Sequence, residues 1–226
     1  MYAMLPGLFI TGTDTNVGKT VTAAALMHRY RRVCHMRYWK PIQTGIEQDD
    51  DTATVRRLAA CGDSDLWTEG IRLHRPLSPH LAAEWSGARI DISQLDRFIA
   101  AMPVNDRWLI EGAGGVLVPI NECELMIDFM VHLAMPVLVV ARSTLGTINH
   151  TLLTIETLHR RGLEVAGVVM VGERNRGNRE TIERFGAVRV LGEMPIFAQL
   201  TPEALGNWAK MELDPEGHFA RYLAER

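Results

Sequence analysis

Cysteine is scarce: three residues in 226, Cys34, Cys61 and Cys123, odd in number and far apart. That excludes a disulfide framework and a cysteine-rich metal cluster, and it fits free thiols in a reducing cytoplasm. Neither sign of charge dominates. Lysine and arginine total 24 against 27 aspartates and glutamates, a net of −3. The chain therefore lacks the basic excess from which a dedicated nucleic-acid binder draws its affinity. No apolar run approaches the ~18 residues of a membrane helix, so no membrane partner is expected. The start, Met1-Tyr2-Ala3-Met4, carries no charged n-region, and no signal peptide is expected. Internal repeats, low-complexity tracts and linkers are missing too. What is present is ordinary for a globular protein: 47% hydrophobic and 23% charged residues, which excludes extensive disorder. The length suffices to bury a full core without staples, and a single domain over 1–226 is expected.

Short apolar runs alternate with amphipathic stretches, the pattern of an α/β fold. Strands are expected over 8–11, 36–40, 108–110, 137–141, 165–171 and 188–191. The run Val137-Leu138-Val139-Val140-Ala141 is unbroken apolar, as central parallel strands are. Helices are expected over about 18–32, 51–61, 79–85, 92–102, 146–161 and 178–185, with one or two more near the C-terminus. Ser78-Pro79 reads as an N-cap followed by a first-turn proline, and Asp91-Ile92-Ser93-Gln94 resembles a capping box. The fold class that follows is α/β, a mostly parallel sheet flanked by helices, and the segment Gly12–Thr20 with its Gly18-Lys19-Thr20 between the first strand and first helix makes it P-loop NTPase-type.

Between the first strand and the first helix lies Gly12-Thr13-Asp14-Thr15-Asn16-Val17-Gly18-Lys19-Thr20. Glycines there let backbone amides wrap phosphate oxygens, and the helix N-terminus adds a positive field. Lys19 supplies a point charge to the β- and γ-phosphates, and Thr20 can ligate magnesium. The strict pattern G-x-x-x-x-G-K-[ST] would put its first glycine at position 13, which is Thr13, so Gly12 stands one residue early. The longer loop occurs in several P-loop relatives. Thr13, Asp14, Thr15, Asn16, Val17, Gly18, Lys19 and Thr20 are the nucleotide-binding candidates.

Three other segments bear on the same pocket. Trp108-Leu109-Ile110-Glu111 is a Walker-B-like strand that ends in an acid, where magnesium is held in such sheets. Asp49-Asp50-Asp51 places three adjacent carboxylates after the second strand. Each of them alone also reads as a solvated or helix-capping residue. Lys40, at the end of that strand in Lys40-Pro41-Ile42-Gln43-Thr44-Gly45, can face the pocket of Lys19.

Taken with Glu111-Gly112-Ala113-Gly114-Gly115, Leu145-Gly146-Thr147-Ile148-Asn149-His150 and Gly192-Glu193-Met194-Pro195, these motifs resemble the dethiobiotin synthetase family, in order and over nearly the whole chain. The resemblance implies a homodimeric cyclo-ligase that converts 7,8-diaminononanoate, CO2 (or bicarbonate) and a nucleoside triphosphate such as ATP into dethiobiotin, with Mg2+ as cofactor. It implies Lys19 and Lys40 as catalytic residues and Thr20, Asp51 and Glu111 as magnesium ligands. Thr15, Lys40 and Thr44 would lie around the diamine and its carbamate. Leu145, Gly146, Thr147, Ile148 and Asn149 would grip the substrate carboxylate across the dimer interface. Glu111, Gly114, Pro195 and Ile196 would complete the nucleotide site, with the 192–198 segment over the base.

The chain departs from the family at two places. A family member has glutamate where Asn16 stands, and others have an asparagine after the strand that ends near Val171, where this chain reads Val169-Met170-Val171-Gly172. Looser base selection is therefore expected. Two rivals share the phosphate loop. A partition or positioning ATPase carries a second lysine five positions before the Gly-Lys-Thr lysine, and that position is Asp14. A cobyrinate-type amidoligase adds a glutaminase domain with a cysteine nucleophile, for which 226 residues leave no room.

Overall fold

The computed structural model describes residues 5–223, so the reading of Met1-Tyr2-Ala3-Met4 lies outside the described residues. In chain order the elements are β1 (Gly7–Gly12), α1 (Lys19–Cys34), β2 (Met36–Trp39), β3 (Ile42–Gln43), α2 (Asp51–Ala59), β4 (Leu66–Trp67) after a 3₁₀ turn, and β5 (Ile71–Arg72). There follow α3 (Pro79–Trp85), α4 (Ile92–Ala100), β6 (Arg107–Gly115), α5 (Met126–Leu133), β7 (Val137–Arg142) and α6 (Thr147–Arg160). β8 (Val165–Val171), α7 (Arg176–Gly186), β9 (Val190–Met194), α8 (Pro202–Met211) and α9 (Ala220–Leu223) complete it.

Among the described residues seven strands form one sheet in the order β4-β2-β6-β1-β7-β8-β9, and every pairing in it is parallel. A parallel sheet needs cover on both faces. The period-2 alternation of the central strands supplies two apolar faces. Leu8, Ile10, Leu109, Leu138 and Val140 join the cluster under α1, α2 and α8, while Phe9, Ile110, Val137 and Val139 join the one under α3 to α7. Gly7 is required where β1 enters the sheet. Its φ is +136°, and a Cβ there would lie 1.9 Å from the Trp108 carbonyl oxygen.

The chain runs from β1 outward over β6 to β2, then returns to fill β6, and later continues on the other side through β7, β8 and β9. Strand order therefore reverses at β1. The crevice at the carboxyl ends of β1 and β6 is where open α/β sheets bind ligands.

Three local expectations are corrected. The 116–135 stretch holds α5, which was not expected because Met-Ile-Asp-Phe-Met-Val-His-Leu is apolar on most of its faces. Asp128 reaches back to accept the Leu125 amide at 2.7 Å and starts the helix. The Asp91 capping box does not form. Its carboxylate lies 3.3 Å from Arg89 Nε and 3.4 Å from Asn121 Nδ2, and the Ile92 amide donates to Glu124, 3.1 Å away, from a distant segment. Ser78 precedes α3 as expected, but its hydroxyl pairs with His80 Nδ1 at 3.1 Å instead of capping an amide. The small β3–β5 sheet and the edge strand β4, of two residues each, carry too little pattern to be read.

The C-terminal segment is pinned by a buried acid. Asp214, fully buried, accepts from the Tyr30 hydroxyl at 3.0 Å and from the amides of His218 and Phe219 at 2.7 and 2.8 Å. Arg29 donates to the Ala209, Lys210, Leu213 and Asp214 carbonyls. Asp214→Asn keeps the shape and tolerates the positive φ of 51°, but it turns one acceptor into a donor facing donors. It is expected to lower the unfolding free energy by about 1–3 kcal/mol, read from the urea midpoint. An unchanged midpoint would show that the acid does not hold this segment.

Candidate active site

β1 ends at Gly12 and the chain turns through 13–18 into α1. Two residues of the loop sit in the left-handed region, Asn16 at φ 57° and Gly18 at φ 99°. Glycine and asparagine are the residues that enter that region at least cost. The Thr13 amide is tied to Val140 O at 3.0 Å and the Thr15 amide to Asp14 Oδ1 at 2.7 Å. The amides of Asn16, Val17, Gly18, Lys19 and Thr20 find no acceptor among the described residues. Five open amides at a helix N-terminus form an anion-binding nest. Val17 is buried, so its contribution is its backbone. Lys19 folds back over the loop, with Nζ 3.1 Å from Asp14 O. Burial and the nearby Lys40 charge hold its pKa below the ordinary lysine value. A triphosphate in the nest would favour its charged form.

Three segments converge on Thr20. Glu111 does not close its strand as expected but sits, completely buried, in the middle of β6, which runs on to Gly115; it places Oε1 2.9 Å from Thr20 Oγ1, and Asp51, the first residue of α2, places Oδ1 2.8 Å from it. Lys40, just past β2, donates to Asp51 Oδ2 at 2.6 Å, to Glu111 Oε1 at 3.0 Å and to Gly112 O at 3.0 Å. These three contacts use all the hydrogens of the ammonium. Burial alone would lower the Lys40 pKa, but Glu111 and Asp51 outweigh it and raise it. Asp51 is likewise pushed up by burial but brought net below the usual carboxylate range, by Lys40 first and then Thr20. Of the three acids, Asp51 enters the site. Asp50 caps α2 by accepting the Ala53 amide at 3.0 Å, and Asp49 is exposed.

The oxygen set suits a hard cation. Thr20 has one hydroxyl hydrogen for two carboxylate oxygens within 2.9 Å, so it can donate to only one of them at a time. A hydroxyl and two carboxylates match the donors of Mg2+, whose other positions are filled by water and phosphate oxygens. Among the described residues no group of three or more His, Cys, Asp or Glu side chains could hold a metal ion, so an all-protein cage is not offered.

The remaining candidates are spread around this centre. Thr15 is exposed and Thr44 is half-buried, its carbonyl accepting from Gln43 at 2.8 Å. Gly114 turns the end of β6 at φ 70°, and the neighbouring Gly115 pairs with Gly12. Leu145 and Asn149 are exposed at the start of α6, Gly146 takes φ 93°, and Ile148 packs on the core. Thr147 is buried with its amide spent on Thr144 O at 3.1 Å. That leaves the amides of Ile148 and Asn149 open. Pro195 and Ile196 are exposed beyond β9. No hydrogen bond or ion pair among the described residues links 145–149 or 195–196 to Lys19, Lys40, Asp51 or Glu111.

Two contributors escaped the sequence. Gln43, buried, accepts the Asp51 amide at 3.3 Å and donates to Asp49 O at 3.0 Å, folding the acidic loop onto the site. Tyr38, two residues before Lys40, donates to Glu111 Oε2 at 2.8 Å. Burial and the Glu111 charge push its phenol pKa well up. The period-2 alternation that places 38 and 40 on one strand face was the signal for it.

Comparison with known proteins gives this geometry a family. The family described as AAA domain matches residues 6–204. An ATP-dependent dethiobiotin synthetase of Paramagnetospirillum magneticum is 51% identical over 202 residues, 89% of this chain and 93% of the relative. The chain belongs to the dethiobiotin synthetase family. Members from Agrobacterium fabrum (44% identical, 87% of this chain and 89% of the relative) and Brucella melitensis (41%, 88% and 90%) agree. Two solved structures share the fold alone. A ParA family ATPase from Chlorobium tepidum has TM-score 0.56 at 10% identity, covering 98% of this chain and 97% of its own. The MinC:MinD cell division complex from Aquifex aeolicus gives 0.58 at 14%, covering 98% and 96%. Where the partition-ATPase lysine would stand, this synthetase-family chain has Asp14, paired with Arg142 at 2.7 Å.

The Asp51 carboxyl has a folded pKa below its unfolded value. Its charge therefore stabilises the fold at pH above the ordinary carboxylate value, and that contribution is lost as the pH falls through the lowered folded value. Asp51→Asn in metal-free protein is expected to flatten the fall of melting temperature between about pH 5 and pH 2. Calorimetric scans that superimpose on the parent's acid limb would contradict it.

Proposed function

We propose that this chain is an ATP-dependent dethiobiotin synthetase, a magnesium-dependent cytoplasmic homodimer that carboxylates and cyclises 7,8-diaminononanoate. The observation that carries the reading is Lys40. A nucleotide switch needs the phosphate loop, one lysine and a metal site. A second lysine held against the same carboxylates is what a reaction with an additional anion at the γ-phosphate requires.

The chemistry follows from these groups. A neutral amine of the diamine attacks CO2 and loses a proton, giving a carbamate whose charge the Lys40 ammonium balances. Thr15 and Thr44 border that position. A carbamate oxygen then displaces the nucleoside diphosphate at the γ-phosphorus, giving a carbamic–phosphoric anhydride. Phosphoryl transfer asks for alignment and charge neutralisation and needs no protein nucleophile. Lys19 and the open amides of 16–20 supply both. Magnesium, when held by Thr20, Asp51 and Glu111, neutralises charge on the phosphate oxygens. The second amine attacks the activated carbonyl carbon, closes the ureido ring and expels phosphate.

Gly114, Pro195 and Ile196 complete the nucleotide site in this reading. Next to Gly18, where a Cβ would lie 3.2 Å from Val171 Cγ2 and 3.5 Å from Met194 Cε, the wall is aliphatic. The two nearby asparagines are engaged elsewhere. Asn175 accepts the Asn178 amide at 3.0 Å, and Asn178 donates to Ser143 O at 2.9 Å. The carboxylate of a nine-carbon substrate reaches well beyond Lys19, and the open amides of Ile148 and Asn149, on an exposed helix start, suit it in a partner subunit's site.

The direct test is incubation with 7,8-diaminononanoate, bicarbonate, Mg2+ and each nucleoside triphosphate, with mass detection of dethiobiotin. Product is expected with ATP, and GTP or CTP should follow within about a hundredfold, since one missing hydrogen bond removes ~1–3 kcal/mol. Absence of product with every nucleotide would refute the reading. Several-thousand-fold preference for ATP would show that another element reads the base.

Lys19→Ala and Lys40→Ala are each expected to lower kcat by at least ~100-fold, the cost of one electrostatic stabiliser. Lys40→Ala needs its fold checked by circular dichroism, because it leaves two carboxylates facing each other. Lys19→Ala mixed with Asn149→Glu should regain about a quarter of parent activity, because half the dimers are mixed and one of their two sites is intact. No recovery despite subunit exchange would sink the shared site, and near-normal turnover of Lys40→Ala would remove that lysine from the chemistry.

A further inference from the structure

The Glu111 carboxylate is completely buried, and its two oxygens do different things. Oε1 faces the site and contacts Thr20 Oγ1 and Lys40 Nζ at 2.9 and 3.0 Å. Oε2 faces away, into the apolar layer under α1 and α2, and accepts the Tyr38 hydroxyl at 2.8 Å. Tyr38 is itself fully buried, in one cluster with Met27, Leu58, Leu66 and Leu109. A phenylalanine would pack there as well and bury no hydroxyl. The hydroxyl has one acceptor, and that acceptor belongs to the site.

The sheet explains the arrangement. In the β2–β6 pairing Tyr38 lies opposite Leu109 and Trp39 opposite Ile110, so the next residues, Lys40 and Glu111, meet where the pairing ends. Tyr38 and Lys40 share a face of the strand. One strand thus grips both oxygens of the Glu111 carboxylate, with a neutral donor behind and a cation in front. The last torsion of a glutamate side chain is broad and soft. Without the donor behind, Oε2 would be stranded in an apolar wall, and the carboxylate would turn to bring both oxygens toward Lys40.

We infer that Tyr38 is a positioning residue, which fixes Glu111 so that Oε1 alone is presented to the metal ion beside Thr20 and Asp51. The inference rests on the magnesium site of the proposed function. Outer hydrogen-bond partners of metal ligands commonly govern affinity about ten- to a hundredfold.

The test is Tyr38→Phe, which removes one oxygen and keeps the ring. Mn2+ binding to the protein with a non-hydrolysable ATP analogue is followed by electron paramagnetic resonance, alongside melting temperature and turnover at rising Mg2+. The inference expects Mn2+ to bind about tenfold or more weakly, nucleotide KM at saturating metal to stay at the parent value, and lost turnover to return as Mg2+ is raised. A lower melting temperature with unchanged Mn2+ affinity would make Tyr38 a packing residue and overturn the inference while leaving the metal site standing. A parent protein that binds no Mn2+ in the presence of nucleotide would overturn the metal site itself, and the inference with it.

Discussion

The ammonium of Lys40 sits between two carboxylates that would otherwise repel one another, and the working end of the sheet is arranged around that contact. Asp51 comes from the start of a helix and Glu111 from the middle of a strand, one residue past the point where β2 stops pairing with it. Two like charges in a dry crevice need a cation between them to offset their repulsion and desolvation. The cost of burying these charges is met by closed valences. Lys40 spends its three hydrogens on Asp51, Glu111 and Gly112, Glu111 also receives Tyr38, and Thr20 has its one hydrogen for Asp51 or Glu111. A cluster this fully bonded can keep its geometry while a charged ligand enters.

The fold gives no hint of this chemistry by itself. ParA and MinD ATPases share the sheet at 10% and 14% identity, and one scaffold hosts many functions. What separates this chain is local. Asp14 occupies the position of the partition-ATPase lysine and is turned toward Arg142. Lys40 stands just past β2, which β6 separates from β1. One cation is absent from the loop and another stands just past β2, where it meets this chain's own carboxylates.

Much of this was legible in the sequence because it rests on local pattern. The strand–loop–helix context of Gly18-Lys19-Thr20, the acid closing the 108–111 run and the unbroken apolar strand of 137–141 each announce themselves within a dozen residues. Asp51 could not be told from its neighbours Asp49 and Asp50 by pattern alone, since three adjacent acids look alike until a helix start assigns one to a cap and the next to the site. The family resemblance made that choice. Gln43 was invisible because its role depends on which loop lies beside it, and Tyr38 showed only in sharing a strand face with Lys40, a signal that does not say which acid lies opposite. Helix α5 was missed for the opposite reason: a segment apolar on most faces has no period to read. The Asp91 box looked sound locally and lost to Glu124, a competitor that tertiary folding brings in.

The site has a consequence for how the molecule comes together. Its bonded pairs are far apart along the chain: 31 residues separate Thr20 from Asp51, 71 separate Lys40 from Glu111, and 91 separate Thr20 from Glu111. Contacts of such separation form late and slowly, after the loop-closure entropy of the sheet has been overcome. A chain with β1 and α1 in place but β6 not yet inserted between β1 and β2 has a phosphate loop and no Thr20–Asp51–Glu111 cluster. A ligand that needs both the loop and the cluster would recognise only the finished sheet, and its binding would stabilise the whole domain as a unit.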